Sequence, residues 1–228
     1  MMKVSAERID VTQSIYDEND RIAAETWKVL DEKCIFTVNV MGAPGAGKTS
    51  SLIHLIQNMP QTRSYVLEGD IESDIDTVKM KGLGIETLQI NTYGACHLDA
   101  PTVQKALEGL PLSEPGILFI ENIGNLVCPA EFMIGEHIKL LVCSVAEGSD
   151  KPYKYPLAFE KADMILLTKI DLKAYVDFDE AFFFKGVQAL NKDAAVFEVN
   201  AKTGEGFDGA AKYLENLASG GTEVKTYP

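Results

Sequence analysis

Positive charge is scarce in this sequence. Its 228 residues carry 21 lysines and arginines against 34 aspartates and glutamates, a formal net charge of −13. Nucleic-acid binding needs basic stripes, so the balance argues against a phosphate-backbone partner, and equally against docking on anionic lipid. Arginine is scarcest, present only as Arg8, Arg21 and Arg63. No apolar run approaches membrane-spanning length, and Met1–Asp10 lacks an apolar signal core. Four cysteines without an export signal read as free thiols in a reducing cytoplasm. Internal repeats and long low-complexity linkers are missing too. What remains is 46% hydrophobic and 24% charged, the composition of a soluble globule with enough apolar material for a core.

Against that background Gly42–Thr49 stand out, reading G-A-P-G-A-G-K-T. The β-branched, apolar run Cys34–Met41 feeds into the glycines and the helix-like Ser50–Asn58 leaves them, which is the setting of a phosphate-binding loop. Glycine lets the chain curl round phosphate oxygens with its N–H groups turned inward and no Cβ in the way. Gly45, Ala46, Gly47, Lys48, Thr49 and Ser50 are the expected phosphate-binding residues. The Lys48 ammonium supplies charge at the terminal phosphates, and the Thr49 hydroxyl a magnesium ligand.

Further along, strands are expected at Ser64–Leu67, Thr87–Ile90, Ile117–Ile120, Leu140–Val145, Met164–Leu167 and Ala195–Val199. Helix-like stretches lie between most of them, notably Thr102–Leu110, Asp179–Leu190 and Gly209–Leu217. The alternation predicts an α/β P-loop NTPase fold: a mostly parallel sheet flanked by helices, with ligands at the carboxyl ends of the strands. Residues 1–32 read as an N-terminal helical segment, with Ile15, Ile22, Ala23 and Val29 at helical spacing. The nucleotide-binding domain is expected over 33–218, and a flexible tail over 219–228.

Three strand ends carry nucleotide chemistry. Asp70, after Tyr65–Leu67, is the candidate magnesium carboxylate. Glu121, ending Ile117–Ile120, suits a magnesium partner or a water-orienting base, and Gly124 a backbone N–H that senses the terminal phosphate. Lys48, Asp70 and Glu121 form the catalytic set. Thr168-Lys169-Ile170-Asp171 supplies base selection. The Asp171 carboxylate accepts from both N1–H and N2 of guanine, while the Lys169 stem covers the purine. The run resembles the Asn-Lys-x-Asp signature of GTPases, with Thr168 in place of the amide, a change expected to reduce guanine affinity. Ala201, in Asn200–Gly204, resembles the loop that touches the guanine carbonyl through a backbone N–H. GTP/GDP is therefore favoured over adenine nucleotides. With so little arginine, and none in a nucleotide motif, unaided turnover should be slow.

Cys96-His97 and Cys128 sit beside these signals, and thiolate and imidazole suit nickel or zinc far better than magnesium. On spacing alone, a buried structural cysteine beside a surface histidine fits as well. Cys34 and Cys143, within apolar strands, read as core cysteines, and His54 and His137 as residues without a metal role.

Beyond single motifs, the chain resembles the hydrogenase-maturation nickel-insertion GTPases, HypB. The likeness is carried by Gly42–Thr49, Tyr93–Ala100 (Y-G-A-C-H-L-D-A), Glu121–Phe132 (E-N-I-G-N-L-V-C-P-A-E-F), Ser144–Pro152 and Lys154–Pro156. The resemblance implies a GTPase that dimerises when GTP is bound, with a nickel or zinc site built from Cys96, His97 and Cys128. Its implied partners are a small nickel-carrying maturation protein and the hydrogenase large-subunit precursor. The cysteine motif and the histidine-rich stretch found at the start of some members do not occur before Cys34. Competing readings are a sibling GTPase serving urease or a cobalamin enzyme, a non-hydrolysing metal-binding adaptor, and a small-molecule kinase.

Overall fold

A computed structural model of the chain describes residues 11–70, 80–92 and 94–220. The side chains of 11–15 and of Asp70 fall outside the described set, as do Tyr93 and the tail from 221. Seven described strands form one sheet: β1 (Ile35–Met41), β2 (Ser64–Asp70), β3 (Glu86–Asn91), β4 (Gly116–Glu121), β5 (Ile138–Ser144), β6 (Met164–Thr168) and β7 (Ala195–Glu198). Their order is β3-β2-β4-β1-β5-β6-β7, and every pairing is parallel. A parallel sheet must be covered on both faces, which explains why β1, β5 and β6 are buried along their whole length.

Eight described helices do the covering: α1 (Val11–Glu32), α2 (Lys48–Gln57), α3 (Ala100–Leu107), α4 (Cys128–Glu131), α5 (Lys151–Lys154), α6 (Pro156–Lys161), α7 (Glu180–Leu190) and α8 (Phe207–Ala218). One face of the sheet joins Val38, Val40, Phe119 and Leu166 to Leu52 of α2 and Leu214 of α8. The other face is divided. Leu141, Cys143 and Leu167 pack with Phe159 of α6 and Phe183 of α7, while Tyr65, Leu118 and Ile120 pack with Leu30 of α1 and Val103 of α3. Central β1 runs along the seam between those two clusters.

Two expectations change. The inward face of α1 is Asn19, Ala23, Thr26 and Leu30, while Val29 is 52% exposed. Spacings of four, three and four residues follow the 3.6-residue turn better than a face centred on Val29, and the buried Asn19 amide donates to Met133 O and accepts from Ala100 N. Cys34 is not a core cysteine. It is exposed, at φ 56°, in the turn that ends α1. There its N–H donates to Asp31 O (2.8 Å), so the residue belongs to the helix's last turn rather than to β1. Cys143 is buried as expected, and burial pushes its thiol pKa well up.

Candidate nucleotide and metal sites

The phosphate loop joins β1 to α2 at the carboxyl end of the sheet. A Cβ on Gly42 would lie 2.4 Å from Val142 O, so only glycine lets the loop lie against β5. Gly47 caps α2 at φ 101°, a left-handed conformation that favours glycine. The first-turn N–H groups of α2 then open toward the loop, the arrangement that binds anions at a helix start. Lys48 is buried and donates to Gly42 O (3.2 Å) and Ala43 O (3.4 Å).

Glu121 reaches this loop from β4. The Thr49 hydroxyl donates to its Oε1 at 2.9 Å. A hydroxyl and a carboxylate in direct contact are hard oxygen donors of the kind magnesium takes, so the residues fit that ion. Glu68 of β2 is buried and in register with Glu121, an acid the sequence reading passed over in favour of Asp70. β2 ends at Asp70. Gly124 packs on the phosphate loop so closely that a Cβ would sit 2.9 Å from Pro44 Cγ.

The base-selection motifs leave adjacent strands β6 and β7. Lys169, at φ 58°, donates to Gly45 O (2.7 Å), and Asp171 is exposed in a single 3-10 turn, Ile170–Leu172. Thr168 is buried, with its hydroxyl 2.6 Å from Ala46 O and 3.2 Å from Cys143 O. Its single proton serves one of these carbonyls at a time, so the side chain faces the phosphate loop rather than outward. Ala201 O accepts from His54 Nε2 (2.7 Å), which fixes that ring's tautomer and seats the 200–204 loop on α2.

The second cluster lies beyond Gly124. Cys96, His97 and Cys128 bring one ligand atom each to within 4.8 Å of one another. Cys96 Sγ is 3.4 Å from Cys128 Sγ and 3.3 Å from His97 Nδ1. Cys96 is exposed, so a buried structural cysteine is not what the fold makes of it. Burial pushes the His97 pKa down against the pull of Asp99 and Glu131, favouring the neutral, ligating imidazole. The contact with Cys96, together with burial, holds the Cys128 thiol above its usual value. The imidazole stacks on Phe132 (ring centroids 4.1 Å apart), which stacks on Tyr16 of α1 (5.0 Å).

The stretch between Glu121 and Cys128 ties the two clusters together. Asn125 bridges to Gly42 of the phosphate loop, its Nδ2 donates to Cys96 O (3.1 Å), and its Oδ1 accepts from Val127 N (3.0 Å).

Comparison with known proteins shows the family. The model of the CobW/HypB/UreG nucleotide-binding domain matches residues 36–198. A hydrogenase maturation factor HypB from Azotobacter vinelandii is 42% identical over 206 residues, covering 90% of this chain and 68% of the relative. The chain belongs to the HypB family. A Helicobacter pylori HypB, solved in complex with nickel, superposes with a TM-score of 0.86 at 29% identity, covering 92% of this chain and 99% of that one. An Archaeoglobus fulgidus HypB gives a TM-score of 0.83 at 32% identity, over 89% and 99% of the two chains. Membership also makes the chain a P-loop nucleotide-binding protein. Among the described residues, no helix is long and apolar enough to cross a membrane.

The sequence reading missed the residues that brace the metal-side loops: Asn19, Asn39, Asn122, Phe132, Glu136 and Lys139. A usable signal was present in the lone polar residues inside apolar strands, Asn39 in F-T-V-N-V-M and Lys139 in I-K-L-L-V.

Proposed function

We propose that this chain is a GTP-hydrolysing metallochaperone that delivers nickel during hydrogenase maturation. The observation that carries the reading is the single short segment from Glu121 to Cys128. One end holds the phosphate-loop Thr49, and the other closes the Cys96–His97–Cys128 cluster. A change at the nucleotide therefore reaches a metal ligand within eight residues of chain.

On this reading Gly45 to Ser50 hold the phosphates, with Lys48 opposing their charge. Thr49 and Asp70 hold magnesium, which supplies electrostatic stabilisation of the phosphates when bound. Glu121 orients the attacking water. Asp171 reads the guanine edge, Lys169 covers the base and Ala201 N–H meets the guanine carbonyl. Nickel is the cargo of Cys96, His97 and Cys128, and zinc accepts the same donors. Three ligands leave one position open, for a water or for a partner's donor at hand-over. GTP-dependent homodimerisation, a small nickel-binding maturation protein, the hydrogenase large-subunit precursor and a cytoplasmic setting complete the proposal.

Transfer requires that the two nucleotide states bind nickel with different free energies, and about 1–3 kcal/mol is enough for a useful switch. The test is a nickel titration of the purified chain with GDP and with a non-hydrolysable GTP analogue. Unequal affinities support the reading, and equal affinities refute it. GTP should also be hydrolysed in preference to ATP.

A further inference from the structure

The geometry points to a buried polar relay, forked at Asn122, that links the nucleotide end of β4 to both halves of the metal cluster. It rests on the nucleotide-gated nickel reading and adds the route by which the gate acts. Asn122 follows Glu121 and is 1% exposed. Its Oδ1 accepts from Ile123 N and from Leu98 N, both at 3.0 Å, and Leu98 is the residue after His97. Two N–H donors at one oxygen leave no ambiguity about the amide's orientation, so Nδ2 must donate, and it does, to Asn39 Oδ1 at 3.2 Å.

The polarity then propagates. Asn39 Nδ2 donates to Glu136 Oε1 (3.3 Å), and the same oxygen faces Lys139 Nζ at 2.8 Å. Lys139 in turn donates to Phe132 O (2.7 Å) and Pro129 O (3.2 Å), the carbonyls that end α4, whose first residue is Cys128. Glu136 Oε2 is held by Ile134 N (2.7 Å). One arm thus ends beside His97 and the other beneath Cys128. All four residues are at most 5% exposed, and Asn39 and Lys139 are register partners on β1 and β5 at the seam between the two apolar clusters. Because these residues are buried from bulk solvent, a shift of Asn122 cannot be absorbed without straining a buried hydrogen bond. Asn122, Asn39, Glu136 and Lys139 are positioning residues: they set where the metal ligands stand in each nucleotide state and touch neither the nucleotide site nor the cluster.

The test uses the full chain carrying magnesium with GDP or the non-hydrolysable analogue. Asn39→Leu cuts the Cys128 arm at a residue outside both sites. Its GDP affinity should stay within about twofold of wild type, while the ratio of nickel affinities in the two nucleotide states falls at least about threefold, within the usual scale of coupling. The neutral double variant Glu136→Gln/Lys139→Met should do the same. In the wild type, without any substitution, amide exchange at Leu98 should change about fivefold or more when GDP is replaced by the analogue. A wild-type ratio above one that either folded variant retains overturns the relay alone, as does a Leu98 amide indifferent to the nucleotide. A wild-type ratio of one refutes the delivery reading and the relay with it.

Discussion

At the phosphate loop the backbone makes the site: Gly42 lies against Val142, Gly47 opens α2, and Lys169 and Thr168 fasten the loop by its carbonyls. At the metal cluster side chains make the site, from two loops that meet only through the fold, and an exposed cysteine completes it. The first arrangement is preformed and tolerates little. The second is adjustable, held in place by stacked rings, asparagine amides and one buried ammonium. A site that must grip and then release cargo gains from being built in the second way, since bracing contacts can be altered without disturbing the ligands themselves.

The contrast can be broken at its strongest point first. Lys48→Ala should abolish hydrolysis, a loss of at least about 10²–10³ in kcat, while nickel binding without nucleotide stays within about twofold; a steady-state assay and a metal titration check it. Next in size, Lys139→Met strands the Glu136 carboxylate in the core and should cost about 3–5 kcal/mol in denaturant unfolding, far more than the neutral double variant. Burial alone would raise the Glu136 pKa, but Lys139 and the backbone N–H of Ile134 hold it below its ordinary 4.5. Unfolded Glu136 therefore binds its proton more readily than folded Glu136. The pair's stabilisation is complete above about pH 4.5 and should decline as pH falls through the lower folded value, as a denaturant series against pH would record.

Third, Cys96→Ala should weaken nickel binding more than about 100-fold, beyond what outer partners reach, with basal hydrolysis largely intact. Should hydrolysis fall in step with metal binding, the two sites would not be separable in the way the comparison requires. The smallest effect sharpens it: Phe132→Leu removes the ring under His97 and should weaken nickel binding by about 0.5–1.5 kcal/mol, with GTP hydrolysis unmoved.

How much of this was readable beforehand follows from the same contrast. The phosphate loop is contiguous, so its eight residues in front of a helix state their chemistry directly. Strands announce themselves by β-branched runs, and all seven expected strands appear, their ends shifted by no more than a few residues; Leu140–Val145, for instance, is observed as Ile138–Ser144. Strand order was not readable, because crossovers decide it and leave no local mark. Cys96 and Cys128 are 32 residues apart, and spacing does not reveal that the fold brings their sulfurs to 3.4 Å of each other. Asn39 and Lys139 were only half legible: a polar residue inside an apolar strand marks itself, but does not show which neighbours on adjacent strands complete its hydrogen bonds. Cys34 was misread because an apolar run does not reveal that its first residue is still finishing a helix.

That misread residue has a practical use. Cys34 stands exposed at the end of the sheet away from the phosphate loop, and Cys143 is sealed inside. A sulfhydryl reagent should therefore count three reactions in metal-free protein, Cys128 the slowest of them, and one when cargo is aboard, with Cys34 as the constant internal standard. Occupancy becomes a matter of stoichiometry, legible without following the metal at all.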